Sequence, residues 1–201
     1  MRKFFTFVWE IAKIVIIAIV IVVPIRYFLF QPFFVRGQSM DPNFENGDYL
    51  LVDEITYRFK EPARGEVIVF KSPLDSSQRF IKRIIGLPEE VVEIKDGRVM
   101  VYNDKGQQAP LEVNGSEKNH QENKPLTGQV LNESDYIPNF STGGDLKISL
   151  AEDEYFVLGD NRPFSYDSRR FGSLPKESII GRVIFRAWPF ATLMIFEKPS
   201  Y

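Results

Sequence analysis

Residues Ile14 to Ile25 form an uncharged apolar run of 12 residues, bounded by Lys13 and Arg26. No other stretch constrains the fold as strongly, because such a run must find either a core or a bilayer, and its length alone fits both. The flanks favour a membrane anchor over residues 1–35. Lys13 and Arg26 lie 13 residues apart, roughly 20 Å along a helix. Both can extend their charged ends toward headgroups, which lengthens the span toward ~30 Å of hydrocarbon. Phe4, Phe5, Phe7 and Trp9 on one side, and Tyr27, Phe28 and Phe30 on the other, read as aromatic belts. Pro24 near the end is tolerated in a membrane helix. The competing reading is a cleaved signal peptide, since Arg2 and Lys3 precede the run. Val22-Val23-Pro24-Ile25-Arg26-Tyr27 offers no small-x-small cleavage site, which argues against it. Arg2 and Lys3 favour a cytoplasmic N-terminus, and Arg26 and Arg36 reduce the asymmetry.

After the anchor the pattern becomes short strands and turns. Tyr49–Val52, Glu66–Phe70, Phe80–Ile85, Glu154–Leu158 and Ser178–Ala187 read as strands. Val91–Lys95 and Arg98–Tyr102 flank Asp96-Gly97, the strongest hairpin signal in the chain. Gly181 inside a strand predicts a bulge or a close backbone approach. Residues 103–150 turn polar, rich in Asn, Gln, Glu, Gly and Lys, and read as an inserted subdomain, loosely structured in part. Trp188–Phe196 is apolar but too short to span a bilayer. It reads as a last core strand or as a surface dipping into lipid. The expected fold is mainly antiparallel β: an extracytoplasmic domain over 36–201, with the insertion at about 103–150, preceded by one transmembrane helix.

Composition removes several chemistries. There are no cysteines, so thiol catalysis, disulfides and Cys-based zinc sites are excluded, and the single histidine excludes a His-rich metal site. The net charge of −2 gives no basic excess for nucleic acid. Two polar features remain. Ser39 lies in Gly37-Gln38-Ser39-Met40-Asp41-Pro42, the first polar turn after the anchor, where a protease working at a membrane surface needs its nucleophile. Lys82 lies inside the apolar strand Phe80-Ile81-Lys82-Arg83-Ile84-Ile85. Strand alternation gives it Phe80 and Ile84 as same-face neighbours. Desolvation there lowers a lysine pKa from the usual ~10.4, and a neutral amine beside a serine hydroxyl is a base beside a nucleophile. An edge-strand lysine whose amine reaches water is the ordinary alternative. His120, in Lys118-Asn119-His120-Gln121-Glu122, reads as solvated, against a Ser-His-Asp triad. Gly159 to Gly172 is a turn dense in Asp160, Arg162, Ser165, Asp167 and Arg169, whose mutual pairing stiffens it; such a loop could hold Ser165 against the Lys82 amine. Arg83, on the face opposite Lys82, reads as a structural ion-pair partner.

At these residues the sequence resembles the bacterial type I signal peptidases, membrane-bound serine proteases that remove signal peptides from exported proteins. The resemblance covers the anchor and most of the rest and fails across 103–150. It implies Ser39 as nucleophile, Lys82 as general base, Ser165 supporting the lysine, and Asp167 with Arg169 as a structural ion pair. Asp160 and Arg83 belong to the same motifs. Met40 and apolar residues near Lys82 are implied as walls of shallow pockets for small residues at substrate positions −1 and −3. No metal or cofactor is implied, and the site is expected on the outer side of the cytoplasmic membrane. One departure stands out. Some members carry a serine two positions before the nucleophile as an oxyanion donor; here that residue is Gly37, which leaves the Ser39 N–H for the task. The remaining alternatives are a Ser–Lys protease specialised for one envelope, pilus or conjugation substrate, and a membrane-tethered peptide-binding β-domain without chemistry. The oligomeric state stays open.

Overall fold

The computed structural model describes residues 2–24, 30–103, 129–134, 136–137, 141–196 and 199. Arg26, Tyr27, Phe28, His120 and most of the 103–150 insertion lie outside the described residues. Helix α1 spans Arg2–Pro24. Its described large apolar side chains, among them Phe7, Trp9, Ile14 and Val20, are exposed. Among the described residues no helix is long and apolar enough to cross a membrane.

The strands follow as β1 (Phe30–Phe34), β2 (Tyr49–Asp53), β3 (Val67–Lys71), β4 (Arg79–Gly86), β5 (Glu90–Lys95), β6 (Arg98–Asn103), β7 (Gln129–Val130), β8 (Leu146–Ser149) and β9 (Glu154–Leu158). A single-turn helix α2 (Ser168–Phe171), then β10 (Leu174–Pro175), β11 (Ile179–Trp188) and β12 (Met194–Ile195), complete the chain. Eight strands form one antiparallel sheet in the order β1-β2-β11-β3-β4-β9-β10, with β12 on β11. Four form a second, in the order β7-β6-β5-β8.

The sequence explains why β3 is central. Val67, Ile68, Val69 and Phe70 are all buried, so both faces of the strand are covered. Val67 and Val69 pack with Val35, Met40, Phe44, Leu50, Val52 and Val183 on one face. Ile68 and Phe70 pack with Ile84, Tyr155, Val157 and Leu174 on the other. The second sheet closes its own core, in which Val92, Ile94, Val99 and Val101 meet Ile85, Phe156 and Leu158. Asp96, at φ 49°, and Gly97, at φ 77°, make the turn between β5 and β6 that the Asp-Gly pair predicts.

Within the stretch read as an inserted subdomain, β7 and β8 flank β6 and β5 and complete the second sheet. Leu146 and Ile148 alternate with Lys147 and Ser149, a strand pattern of only four residues. Trp188, Phe190, Leu193, Met194 and Ile195 are exposed, so the C-terminal apolar stretch supplies surface and not core up to Ile195. Gly181 behaves as its position predicts. The β11–β3 register shifts between Ile179 and Gly181, and a Cβ there would lie 2.4 Å from the Asp53 carbonyl oxygen.

Candidate active site

The turn after β1 carries Ser39. Gly37, at φ 91°, takes a conformation that L side chains rarely adopt, and its N–H donates to Asn46 Oδ1 at 3.0 Å. Val35 and Asp48 close the base of the turn, the Val35 N–H donating to the Asp48 carbonyl at 2.9 Å. Within it the Phe44 N–H donates to the Met40 carbonyl at 2.9 Å. From the other side, the Asn161 N–H donates to the Ser39 carbonyl at 3.1 Å and Asn161 Nδ2 to the Gln38 carbonyl at 2.9 Å. With both carbonyls held, the Ser39 N–H has no hydrogen-bond acceptor among the described residues.

Lys82 comes from the middle of β4, opposite Ile68 of β3. It is 3% exposed. Its Nζ lies 2.7 Å from Ser39 Oγ and donates to the Ile81 carbonyl at 2.8 Å. Burial pushes the amine down from 10.5 to about 8, against the upward pull of Asp167 and Asp160. A substantial fraction of Lys82 is therefore neutral near physiological pH, with a lone pair within reach of the serine proton. The amine does not reach water at a strand edge, because it points inward to Ser39.

The loop after β9 supports both residues. Asp160 is fully buried and takes a two-pronged bond from Arg83, Nε at 2.8 Å and Nη2 at 2.6 Å. The same carboxylate accepts from Asn43 Nδ2 at 2.8 Å, so the serine turn and β4 meet at one buried anion. Asp167 pairs with Arg169 Nε at 2.8 Å, accepts the Gly159 N–H at 3.1 Å and caps α2 through the Arg169 N–H. Arg162, also buried, donates to the Gly159 carbonyl at 2.9 Å, to Glu133 Oε2 at 2.9 Å and to Thr142 Oγ1. Glu133 and Thr142 belong to the insertion, which is thereby tied to the site.

Two expectations need correction. Ser165 does not hydrogen-bond Lys82: the Lys82 amine bonds to Ser39 and to the Ile81 carbonyl, and Ser165 Oγ is buried without a hydrogen-bond partner. Met40 does not line the cleft, because it is 1% exposed and its Sδ accepts the Asp160 N–H at 3.4 Å. The cleft beside Ser39 and Lys82 has a volume of about 470 Å³ and is walled by Phe33, Val35, Leu50, Val69, Phe80 and Ile81. A larger hollow of about 750 Å³ borders Phe44, Arg83 and Arg182 but touches neither Ser39 nor Lys82. Among the described residues no group of three His, Asp or Glu side chains is gathered to hold a metal. Asn43 and Asn161, which hold the serine turn, escape the sequence reading; asparagines in turns are too common to single out.

Gly159 sits where loop and turn touch. A Cβ there would lie 2.1 Å from Ser165 Oγ and 2.4 Å from the Ser39 carbonyl oxygen. Gly159→Ala is expected to push Ser39 off its present line to Lys82. Since a displacement near 1 Å costs about 100-fold in rate, kcat should fall by about that factor, with far-ultraviolet circular dichroism unchanged.

The family described as "Signal peptidase, peptidase S26" matches residues 8–188. A probable signal peptidase I-2 of Synechocystis sp. is 33% identical over 189 residues, covering 90% of this chain and 73% of that protein. Signal peptidase I of Leptolyngbya laminosa is 34% identical over 201 residues, covering 94% and 84%. Signal peptidase IB of Staphylococcus aureus is 32% identical over 184 residues, covering 92% and 91%. A crystal structure of a signal peptidase I from Enterococcus faecalis is 31% identical, covering 61% of this chain and 97% of that one at a TM-score of 0.44. On the extent of the family match and these identities, the chain belongs to the signal peptidase family, peptidase S26, and is a serine peptidase.

Proposed function

We propose that this peptidase removes signal peptides from exported preproteins at the outer face of the cytoplasmic membrane, with Ser39 as nucleophile and Lys82 as general base. The observation that carries the reading is the 2.7 Å approach of Lys82 Nζ to Ser39 Oγ, made by an amine that burial holds near a pKa of 8. The substrate's cleavage region lies extended in the cleft beside β1, an edge strand of the larger sheet, and adds to it as a further strand. The apolar walls Val35, Leu50, Val69 and Ile81 leave room for small side chains at −1 and −3. Neutral Lys82 takes the Ser39 proton as Oγ attacks the carbonyl carbon. The Ser39 N–H donates to the oxyanion. Lys82 then gives its proton to the leaving amine, and a water deprotonated by Lys82 hydrolyses the acyl-enzyme.

The exposed apolar side chains of helix α1 and the exposed residues Trp188, Phe190, Leu193 and Ile195 support a site that works at a bilayer. Large apolar side chains exposed along a helix, as at Phe7, Trp9, Ile14 and Val20, are suited to contact with lipid. The charges at Glu10 and Lys13 confine its uncharged part, so the flanking aromatic residues and the long Lys13 stem complete the anchoring.

The test uses the purified protein in detergent with a preprotein bearing an Ala-x-Ala site. Wild type cleaves after the second alanine, and Ser39→Ala loses cleavage while keeping its melting temperature. Cleavage surviving in Ser39→Ala would sink the nucleophile assignment. The same preparation, reconstituted with phospholipid vesicles, floats with them in a density gradient. If it stays at the bottom of the gradient, the anchor assignment fails.

A further inference from the structure

Residues 189–196 lie beyond the segment that matches the family, which ends at 188. Most of their apolar side chains face outward; Phe190 is 71% exposed and Ile195 70%. Phe196 breaks that pattern. Its backbone N–H donates to the Ile184 carbonyl of β11 at 3.0 Å, and its ring centre lies 4.4 Å from that of Phe44. Phe44 is fully buried and belongs to the turn that carries Ser39.

Arg186 contacts both rings, its guanidinium carbon 5.7 Å from the Phe44 ring centre and 5.4 Å from that of Phe196. Irregularities in the β11–β2 register fall on both sides of it, between Val183 and Phe185 and between Arg186 and Trp188, and such bulges re-aim a side chain. Arg186 is 8% exposed. Its Nη2 donates to the Asn43 carbonyl. Its Nε faces Asp48 Oδ2 at 3.0 Å, with the N–H directed off the hydrogen-bond line. Asn43 and Asp48 are both in the serine turn, and Asn43 also reaches Asp160 at 2.8 Å. Nothing in the proposed reaction uses this cation, and the pair lies away from the cleft. A buried ion pair contributes little net stability. What this one fixes is the back of the turn.

We propose that Phe196 and Arg186 are positioning residues for Ser39: Phe196 covers the guanidinium and keeps it on Asn43 and Asp48, which sets the turn that presents the serine to Lys82. The proposal rests on Ser39 being the nucleophile. Loss of the Phe196 ring frees Arg186 to rotate and lets the turn shift at Asn43. That shift passes to Ser39 through the Met40–Phe44 bond and through Asp160, the neighbour of the Asn161 N–H that holds the Ser39 carbonyl.

The experiment compares full-length wild type, Phe196→Ala, Phe196→Leu and Arg186→Lys in detergent, using steady-state cleavage of the Ala-x-Ala preprotein and hydrogen exchange of the Asn161 amide. Phe196→Ala is expected to lower kcat about tenfold, the cost of a displacement of some tenths of an ångström, with KM changed less than about threefold. Asn161 exchange should quicken in the same variant. Phe196→Leu, which keeps most of the cover, should restore most of the rate. Arg186→Lys, which keeps the charge but loses the planar fork, should lower kcat in the same direction.

An unchanged kcat in folded Phe196→Ala, with only a lower melting temperature, would overturn the proposal. So would a rise in KM alone, which assigns the ring to substrate or lipid contact. If Phe196→Ala does not fold, Arg186→Lys carries the same two readouts, and no change in either overturns the idea. Asn161 exchange needs no substrate, so a failure here is separable from a failure of Ser39→Ala to abolish cleavage.

Discussion

Lys82→Met is expected to abolish cleavage and at the same time to stabilise the fold at neutral pH. The first effect follows from the loss of the only amine among the described residues within hydrogen-bond distance of Ser39 Oγ. The second follows from linkage. The buried amine has a folded pKa of about 8 against an ordinary 10.5, so below pH 8 the native state holds a charge that its surroundings disfavour. That penalty is fully present below about 8. It is relieved as pH rises toward 10.5, because in that window the unfolded chain binds more protons than the native one. Methionine keeps the length of the side chain and removes the penalty. After allowing for the lost bonds to Ser39 and Ile81, a gain on the order of 2 kcal/mol remains at pH 7. Urea melts at pH 7 and pH 10 check it: the gap between variant and wild type should shrink at the higher pH. Cleavage by the wild type obeys the same titration. It rises about tenfold per pH unit below 8 and levels above it, since only neutral Lys82 accepts the proton. A rate independent of pH between 6 and 9 would remove Lys82 from the base role.

Asp160→Ala should be among the most destabilising single changes in the chain. It strips the carboxylate from Arg83, which is 5% exposed and bonded to Asp160 through two nitrogens. An uncompensated buried charge costs about 3–5 kcal/mol, which in a chain of this size lowers Tm by about 10 °C. Asn43 Nδ2 loses an acceptor too, so the serine turn loosens. Asp160 also raises the Lys82 pKa. Any residual activity should therefore titrate at lower pH than in wild type. Differential scanning calorimetry and a pH–rate profile read the two effects separately. A Tm within 2 °C of wild type would show that water, or another carbonyl, satisfies Arg83 without the carboxylate.

The parts of the site legible in the sequence are those that a local pattern carries. Lys82 stands out because a charge interrupts an otherwise apolar strand, and Ser39 because it lies in the first polar turn after the apolar N-terminal run; both signals sit in stretches of fewer than ten residues. The Arg83–Asp160 bond joins residues 77 positions apart, and only its separate halves show in the sequence. Met40 looks like a pocket wall because it stands beside the proposed nucleophile, whereas the turn folds its side chain under itself against Phe44 and Val69. Ser165 lies close to the site, with Gly159 pressed against it, but the direction of a hydroxyl is decided by tertiary contacts. Arg186 gave no sign at all, since one arginine in a strand is usually a solvated rim. Its inward turn depends on bulges that no residue type announces.

The second sheet bears on how such a chain can diversify. Val101 of β6 stands beside Gln129 of β7, so the chain leaving β6 and the chain entering β7, with 25 residues between them in sequence, lie side by side on the sheet. Closing a loop costs free energy that grows only with the logarithm of its length, about 0.6 kcal/mol per doubling. The return is pinned immediately afterwards, where Glu133 grips Arg162. Length between those two points is thus close to a neutral variable: residues can be added or removed there while the serine and the lysine keep the same distance from each other.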